Sequence, residues 1–332
     1  MVELTRRQML VGTAAGVIAA AVPFVAPARL DASAPATGRQ APGFYRYKVG
    51  SFEVTVVTDG VIQFPVDDAL VLNVKKDEVA AALAAAFMQK EVYVVPFNPI
   101  VVNTGAKLAV IDTGLGEAAY GASKGADGQF LTNLVAAGID TKAVDAVIIS
   151  HYHVDHLSGL LKGDNALAFP NAEILVPTLE HKYWMDDGEM SRASTPRIAG
   201  VFKNVRRVMR PEVLKRLRTN EWDKEVIPGV VAVGTPGHSP GHTAHIISSG
   251  TSTVYVQGDL SHTALLSRNP GWHPFVDHDP VLAETTRRKV YDMLVAERML
   301  VQAFHYGFPA LAHIEKTATG YRETPVLWNP TI

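Results

Sequence analysis

The sequence predicts an α/β fold built from stacked sheets and helices. Strands alternate with helical segments along the chain, and strands that end in polar loops occur in both halves. Of the 332 residues, 47% are hydrophobic and 19% are charged, which is enough apolar sequence for a large core. We therefore expect a folded domain over residues 41–332.

The elements of the first half are predicted from periodicity and turn residues. Alternating apolar residues indicate strands, and an Ala-rich run of good helix formers indicates a helix. In chain order we expect a meander over 45–64, a helix over 76–88, a hairpin of strands 98–103 and 108–112, a helix over 130–137 and a buried strand over 146–149.

The second half follows the same plan. In chain order we expect a helix over 196–217, strands over 229–233 and 253–257, a helix over 280–300 and a strand over 300–304. Strands 146–149, 229–233 and 253–257 each lead directly into a loop with histidine or aspartate. Chemistry is therefore expected at the ends of these strands.

The first forty residues have a different pattern. Arg6-Arg7 precede a short apolar run from Met9 to Val22, and Ala26-Pro27-Ala28 is typical of a cleavage site. The run is shorter than the ~20 residues of a spanning helix, and the paired arginines resemble a twin-arginine signal. We expect residues 1–40 to be a twin-arginine-type signal peptide and linker that direct the protein to the periplasm, without a stable membrane span. The alternative is an uncleaved anchor.

Charge and cysteine content limit the chemistry. The net charge of -2 gives no basic surface for nucleic acid, so we expect a small-molecule substrate and no nucleic-acid partner. The chain has no cysteine, which excludes a disulfide and a thiolate ligand or nucleophile. Any bound metal ion must be held by nitrogen and oxygen.

The densest cluster of polar residues is His151-Tyr152-His153-Val154-Asp155-His156, directly after a buried strand. Three imidazoles and a carboxylate this close together are costly unless a cation gathers them. His151 and His153 can face one ion from an extended segment, while Asp155 and His156 can face a second ion beside it. The spacing predicts two adjacent metal sites.

Two zinc ions need more than four ligands, so the rest must come from elsewhere in the chain. We expect His242, Asp259 and His305, each of which lies just beyond an apolar strand. His238 competes with His242, because both follow a glycine in the same loop.

In this order the residues resemble the seven-ligand pattern of the metallo-β-lactamase superfamily, over about residues 44–330. The chain is most similar to the branch that contains methyl parathion hydrolase and related exported lactone or ester hydrolases, on the stretches 151–159, 169–172 and 305–314. The resemblance implies a four-layer αβ/βα sandwich of two mixed β-sheets flanked by helices. It also favours His242 over His238.

The resemblance further implies two divalent metal ions, for which we expect zinc, with a hydroxide between them. It implies one ion on His151, His153 and His242, the other on Asp155, His156 and His305, and Asp259 bridging both. Such ions lower the pKa of water from ~15.7 to about 7, which provides a nucleophile at neutral pH. We expect Asp155 to be both a ligand and a catalytic proton carrier.

Other residues are expected around the metals. By the resemblance, Tyr120, Trp184 and Phe202 form aromatic pocket walls, although ordinary core packing explains each of them as well. His262, three residues past Asp259, is expected to line the pocket or donate to the substrate, with a surface position as the alternative. Asp112 fits either a carboxylate that orients a ligand histidine or a simple turn.

These expectations predict a hydrolase that cleaves ester-like bonds in small apolar substrates: a lactone, an aryl ester or a phosphotriester. A zinc β-lactamase is disfavoured by the missing cysteine, and a glyoxalase-type thioesterase by the lack of a basic cluster. A metal-loaded binding protein without catalysis is a further alternative. The branch that the chain resembles also implies a homodimer.

Overall fold

Two β-sheets of seven strands each form the centre of the fold, and a separate pair of strands lies beside them. The computed structural model describes residues 40–332, and residues 41–332 form one compact unit. The predicted signal peptide and linker, except Gln40, lie outside the described residues.

The strands are short and mostly buried. In chain order they are β1 (Phe44–Val49), β2 (Phe52–Val57), β3 (Gly60–Pro65), β4 (Val92–Phe97), β5 (Ile100–Asn103), β6 (Leu108–Ile111), β7 (Ala146–Ile148), β8 (Glu173–Pro177), β9 (Leu217–Asn220), β10 (Glu225–Ile227), β11 (Val230–Gly234), β12 (Thr243–Ser249), β13 (Ser252–Val256), β14 (Leu300–Gln302), β15 (Leu311–Lys316) and β16 (Tyr321–Pro325).

Both large sheets are mixed. The first has the order β1-β2-β5-β6-β7-β8-β9, antiparallel up to β6 and parallel from β6 to β9. The second has the order β10 to β16, antiparallel except for the parallel pair β13 and β14. β3 pairs with β4 outside both sheets.

The α-helices lie between the strands in sequence. They are α1 (Lys76–Ala85), α2 (Glu117–Ala122), α3 (Phe130–Ala136), α4 (Val154–Leu157), α5 (Thr178–Trp184), α6 (Asp187–Ser191), α7 (Pro196–Val208), α8 (Pro211–Leu214), α9 (Ala264–Arg268) and α10 (Pro280–Ala296). Within residues 40–332, none is both long and apolar enough to cross a bilayer.

Of the four apolar cores in the described residues, three lie between the layers of the fold. One lies between the two sheets and contains Ile148 from the first sheet and Val254 from the second. A second core packs α3 and α7 on the first sheet, for example through Val205, and a third packs α10 on the second sheet through Tyr291 and Leu294. The order helix, sheet, sheet, helix confirms the predicted four-layer fold class.

Three details differ from the prediction. Of the three strands in the predicted meander, β1 and β2 form a hairpin, whereas β3 pairs with β4 instead. The helix expected over 196–217 ends at Val208, because Pro211 lacks the N–H that a continuing helix needs and instead begins α8. Seven strands have no counterpart in the prediction: β4, β8, β9, β10, β12, β15 and β16.

Candidate metal centre

The predicted ligand residues follow strands of both sheets. His151 lies three residues after β7, and Asp259 and His305 lie three residues after β13 and β14. Because β13 and β14 are parallel neighbours, their carboxyl ends lie side by side. The loop between β11 and β12 adds His238 from the same sheet.

Two groups of four side chains each place their ligand atoms within 4.8 Å of one another. Group A contains His151, His153, His238 and Asp259, and group B contains Asp155, His156, Asp259 and His305. Every member is buried except Asp155, which is partly exposed. Six of the seven predicted ligand residues are therefore brought together, and His242 is not among them.

Asp259 connects the two groups. Its Oδ2 lies 3.2 Å from Nε2 of His238 and 3.0 Å from Nε2 of His305, and its Oδ1 lies 3.2 Å from Nε2 of His156. In group B, Oδ2 of Asp155 lies 3.5 Å from Nε2 of both His156 and His305. One carboxylate thus reaches both groups, as a ligand shared by two neighbouring cations must.

Several buried atoms of the two groups lack a partner. Within residues 40–332, Nε2 of His151, Nε2 of His156 and Oδ1 of Asp259 make no hydrogen bond. An unpaired buried polar atom costs about 1–3 kcal/mol. Nitrogen and oxygen atoms that converge in this way are the donor set that zinc prefers when cysteine is absent, so these residues fit two divalent ions.

Burial and neighbouring charges together determine the charge of these groups. Burial lowers the pKa of His151 and of His153 well below the ordinary value, so both rings are neutral. Burial opposes the charge of Asp259, yet His305 and His156 lower the pKa of this carboxyl well below its usual range. Neutral imidazole and ionised carboxylate are the forms that bind metal ions.

His238 differs from the other group A histidines. Burial opposes a charge on its ring, but the carboxylates of Asp259 and Asp277 raise its pKa to about 9. Its Nδ1 lies 2.9 Å from Oδ1 of Asp277, and Oδ2 of Asp277 accepts a hydrogen bond from Arg287 at 3.1 Å. A cation in group A must therefore displace a proton from His238 at neutral pH.

Group B has a matching carboxylate in Asp112. Its Oδ2 lies 2.8 Å from Nδ1 of His156 and accepts a hydrogen bond from the Ser150 hydroxyl, while its Oδ1 accepts the Ser150 backbone N–H. These contacts fix the ring of His156 so that Nε2 faces Asp155 and Asp259. Of the two interpretations of Asp112, the geometry favours orientation of a ligand histidine.

His305 is held from the β4 side. Its Nδ1 lies 2.7 Å from the carbonyl oxygen of Pro96, which leaves Nε2 for group B. The Asn98 amide donates to the carbonyl oxygens of Phe304 and Tyr306, at 2.9 and 2.8 Å. The backbone on both sides of His305 is thus anchored.

The predicted ligand His242 lies next to group A, with its ring centroid 5.0 Å from that of His151, but only His238 is a member of the group. Nδ1 of His242 lies 2.8 Å from Oγ1 and 3.1 Å from the carbonyl oxygen of Thr235, and Nε2 accepts the backbone N–H of Asp259 at 2.9 Å. Burial lowers the pKa of His242 to about 3, so the ring is neutral. His242 thus contacts the Asp259 loop, and its role as a ligand stays a prediction beside that of His238.

The two histidines differ in their position on the loop. His242 directly precedes β12, and its carbonyl oxygen accepts the N–H of Thr235 at the base of the loop. His238 lies in the middle of the loop, where a side chain can reach beyond the sheet. A glycine precedes both residues, so this local feature does not distinguish them.

The predicted aromatic pocket walls stay a prediction, and the three rings have different surroundings. Trp184 and Phe202 are fully buried, and their ring centroids lie 4.6 Å apart in the core beneath α7. Trp184 reaches the centre only through its edge, 6.2 Å from the ring of His153. Tyr120 is half exposed on α2 and belongs to neither ligand group. Core packing accounts for the two buried rings.

His262 does lie beside the centre. Its ring centroid is 4.5 Å from that of His305, and it stacks on Tyr93. The side chain is buried, and burial lowers its pKa to about 3, so the ring is neutral. Within the described residues, its Nδ1 has no hydrogen-bond partner.

Comparison with known families identifies the class. Residues 93–298 match the metallo-beta-lactamase superfamily, and the chain belongs to this superfamily. Its relatives are metal-dependent hydrolases. The convergent histidine and aspartate side chains of this chain agree with that class.

Individual relatives make the comparison narrower. The N-acyl homoserine lactonase AiiA of Bacillus thuringiensis subsp. kurstaki is 27% identical over 217 residues, which are 61% of this chain and 75% of that protein. The structure of AidC, a dizinc quorum-quenching lactonase in complex with the product N-hexanoyl-L-homoserine, superposes with a TM-score of 0.79 and 25% identity over 87% of this chain and 99% of that one. Hydrolase AbOPH, in the beta lactamase superfamily, gives a TM-score of 0.80 and 25% identity over 88% and 100%.

Proposed function

We propose that this protein is a dinuclear zinc hydrolase that opens lactones. The observation that carries the proposal is Asp259, one buried carboxylate within reach of both ligand groups. The lactone substrate is supported by relatives named as lactonases, one of them solved with an opened lactone product. Aryl esters and phosphotriesters contain bonds open to the same chemistry and are secondary substrates of the proposal.

Group A would hold one ion and group B the other, with Asp259 shared. Ions bound there supply electrophilic polarisation of a carbonyl oxygen and a deprotonated water near neutral pH. His151 and His153 are neutral and would hold an ion without competing protons. His238 and His156 would have to release a proton, because nearby carboxylates raise the pKa of each ring although burial opposes this. It also excludes bulk water, because every ligand except Asp155 is buried.

Asp155 is the proposed proton carrier. It is the one partly exposed member of the two groups, so its carboxylate lies between the centre and solvent. Its neighbours His156 and His305 keep the carboxylate ionised, because they lower its pKa although burial opposes this. An ionised carboxylate at this position can accept the proton of the attacking water and release it towards the leaving group.

His262 is the proposed substrate donor. A neutral imidazole beside His305 can donate one N–H to a substrate oxygen while adding no charge to the site. Its stacking partner Tyr93 is fixed by a 2.7 Å hydrogen bond between its hydroxyl and that of Thr263. The ring of His262 is therefore held in one orientation.

Hydrolysis rates on a matched panel test the proposal. The panel contains N-hexanoyl homoserine lactone, dihydrocoumarin, p-nitrophenyl acetate, methyl parathion and a cephalosporin, each with the zinc-loaded full chain. We expect the highest kcat/KM on a lactone, at least 10²-fold lower with His151→Ala, and unchanged with the surface variant His313→Ala. Inactivity on all five substrates with two ions bound would refute the proposal and favour a binding protein.

We also propose export and a homodimer. Residues 1–40 fused to a reporter that is active only when it is exported folded should give signal, and Arg6→Lys with Arg7→Lys should abolish it. Equal signal from that variant would exclude the twin-arginine route. Sedimentation of the purified chain tests the homodimer, and a monomer at micromolar concentration would exclude it.

A further inference from the structure

A buried carboxylate outside both ligand groups connects the loops that carry group A. Glu180 lies on α5, is fully buried, and forms no ion pair with any residue in the range 40–332. A carboxylate taken out of water without a counter-charge needs strong hydrogen bonds in compensation. Glu180 accepts four.

The four donors come from three segments of the chain. Oε1 accepts the backbone N–H of Tyr152 at 2.9 Å and the indole N–H of Trp184 at 2.7 Å. Oε2 accepts the Ser239 hydroxyl and the backbone N–H of Gly241, both at 2.8 Å. Each carboxylate oxygen thus accepts two hydrogen bonds.

Two of these segments are ligand loops from different sheets. Tyr152 stands between His151 and His153 on the loop after β7, and Ser239 directly follows His238 on the loop after β11. The carboxylate therefore links the first-sheet ligands of group A to its second-sheet histidine.

Gly241 gives independent support for a close fit here. A Cβ at this position would lie 2.2 Å from the backbone nitrogen of Glu180, so the β11–β12 loop approaches α5 as closely as only glycine permits. The β11–β12 loop is therefore in direct contact with Glu180, which accepts hydrogen bonds from it.

We propose that Glu180 is a positioning residue that sets the metal affinity of group A without touching the ion. It holds the His151–His153 segment and the His238 loop at a fixed separation, so that three imidazoles reach one point. Group B depends on Asp112 and Pro96 instead and does not need it. The inference rests on the proposed metal centre.

Glu180→Gln tests this with little change of shape. The amide has one acceptor oxygen, so its NH2 must face one of the two pairs of donors. Towards Tyr152 and Trp184 it would oppose two N–H groups, whereas towards Ser239 and Gly241 the hydroxyl can turn to accept and only the N–H is opposed. At least one hydrogen bond to the β11–β12 loop or to the Tyr152 side is therefore lost. We expect the affinity of group A for Zn²⁺ to fall about 10–100-fold, as for other outer partners of ligand histidines. Affinity at group B should be unchanged.

Stepwise competition with a chromophoric chelator measures both affinities. His153→Ala and His305→Ala identify which step belongs to group A and which to group B. Glu189→Gln, an exposed glutamate on α6, is the matched control and should bind both ions normally. Should Glu180→Gln not fold, Ser239→Ala removes a single donor and should give a smaller loss at group A alone.

Two outcomes would overturn the proposal for Glu180. One is unchanged Zn²⁺ affinity at both groups, with or without a lower melting temperature. The other is an equal loss of affinity at both groups. If the wild-type chain itself binds fewer than two ions, the proposed function fails, and that result is visible before any variant is made. The two failures are thus distinguishable.

Discussion

Asp277 accepts a hydrogen bond from His238, with 2.9 Å between Oδ1 and Nδ1, and both side chains are buried. Arg287 binds the other oxygen of Asp277 and also donates to the carbonyl oxygens of Leu260 and Pro270. The arginine on α10 thus fixes the carboxylate, and the carboxylate fixes the ring of His238 with Nε2 towards group A. A ligand histidine with this support should bind an ion more tightly than one without it.

Asp277→Asn should lower the affinity of group A for its ion about 10–100-fold, because the amide no longer stabilises the His238 imidazole as the carboxylate does. Metal titration of the apo protein checks the prediction. Asp279→Asn is the control: Asp279 caps α10 by accepting the N–H of Leu282, and asparagine caps a helix about as well, so stability and metal binding should both stay nearly unchanged. Equal metal affinity in the two variants would contradict the role of Asp277.

His238→Ala and His242→Ala should have different effects. Removal of His238 takes a nitrogen from group A, so the chain should bind one ion instead of two. Removal of His242 breaks its contacts with Thr235 and Asp259, so stability should fall while two ions still bind. Metal analysis after dialysis distinguishes them, and loss of an ion only in His242→Ala would restore the original ligand prediction.

His245 should make the fold sensitive to acid. It is buried on β12 with neither ring nitrogen bonded among residues 40–332, and burial lowers its pKa to about 4, from 6.5. Between these pH values the unfolded chain binds the proton and the folded chain does not, so stability falls as pH drops through this window.

Replacing this ring tests the effect. When the pH falls from 7 to 5, the unfolding free energy of the wild type should decrease by roughly 2 kcal/mol more than that of His245→Leu. The reason is that leucine takes up no proton on unfolding. Urea unfolding at the two pH values measures the difference. Parallel losses in both proteins would show that His245 does not titrate in this range.

Phe202 should matter for stability and not for the substrate. It is fully buried against Trp184 and Tyr183, so Phe202→Leu should cost about 1 kcal/mol of unfolding free energy by loss of packing. KM for the lactone should stay within twofold. A tenfold change in KM at unchanged stability would return Phe202 to the pocket wall.

The part of the site that follows strand ends was predictable. His151, Asp259 and His305 each lie three residues past a strand of strongly apolar residues, and this position made them candidates. For His305, which stands alone in the sequence, the resemblance of the tail was also needed. The fold class followed from the same alternation of strands and helices.

The supporting residues were not predictable in this way. Glu180 and Asp277 act through hydrogen bonds to residues 28 to 61 positions away, and nothing in their local sequence marks them. The path of the loop, which brings His238 into group A, was likewise not visible in the sequence. Arg287 offered one signal, because an arginine on the inward face of α10 must find a buried carboxylate.

The most direct test of the account is a zinc titration of the metal-free protein, with the rate of N-hexanoyl homoserine lactone opening measured at each step. We predict that the rate rises until two equivalents per chain are bound and then stays constant, and that Asp259→Ala, which removes the shared carboxylate, gives no rise. Absence of lactone opening at two bound equivalents, or full activity without zinc, would contradict the account.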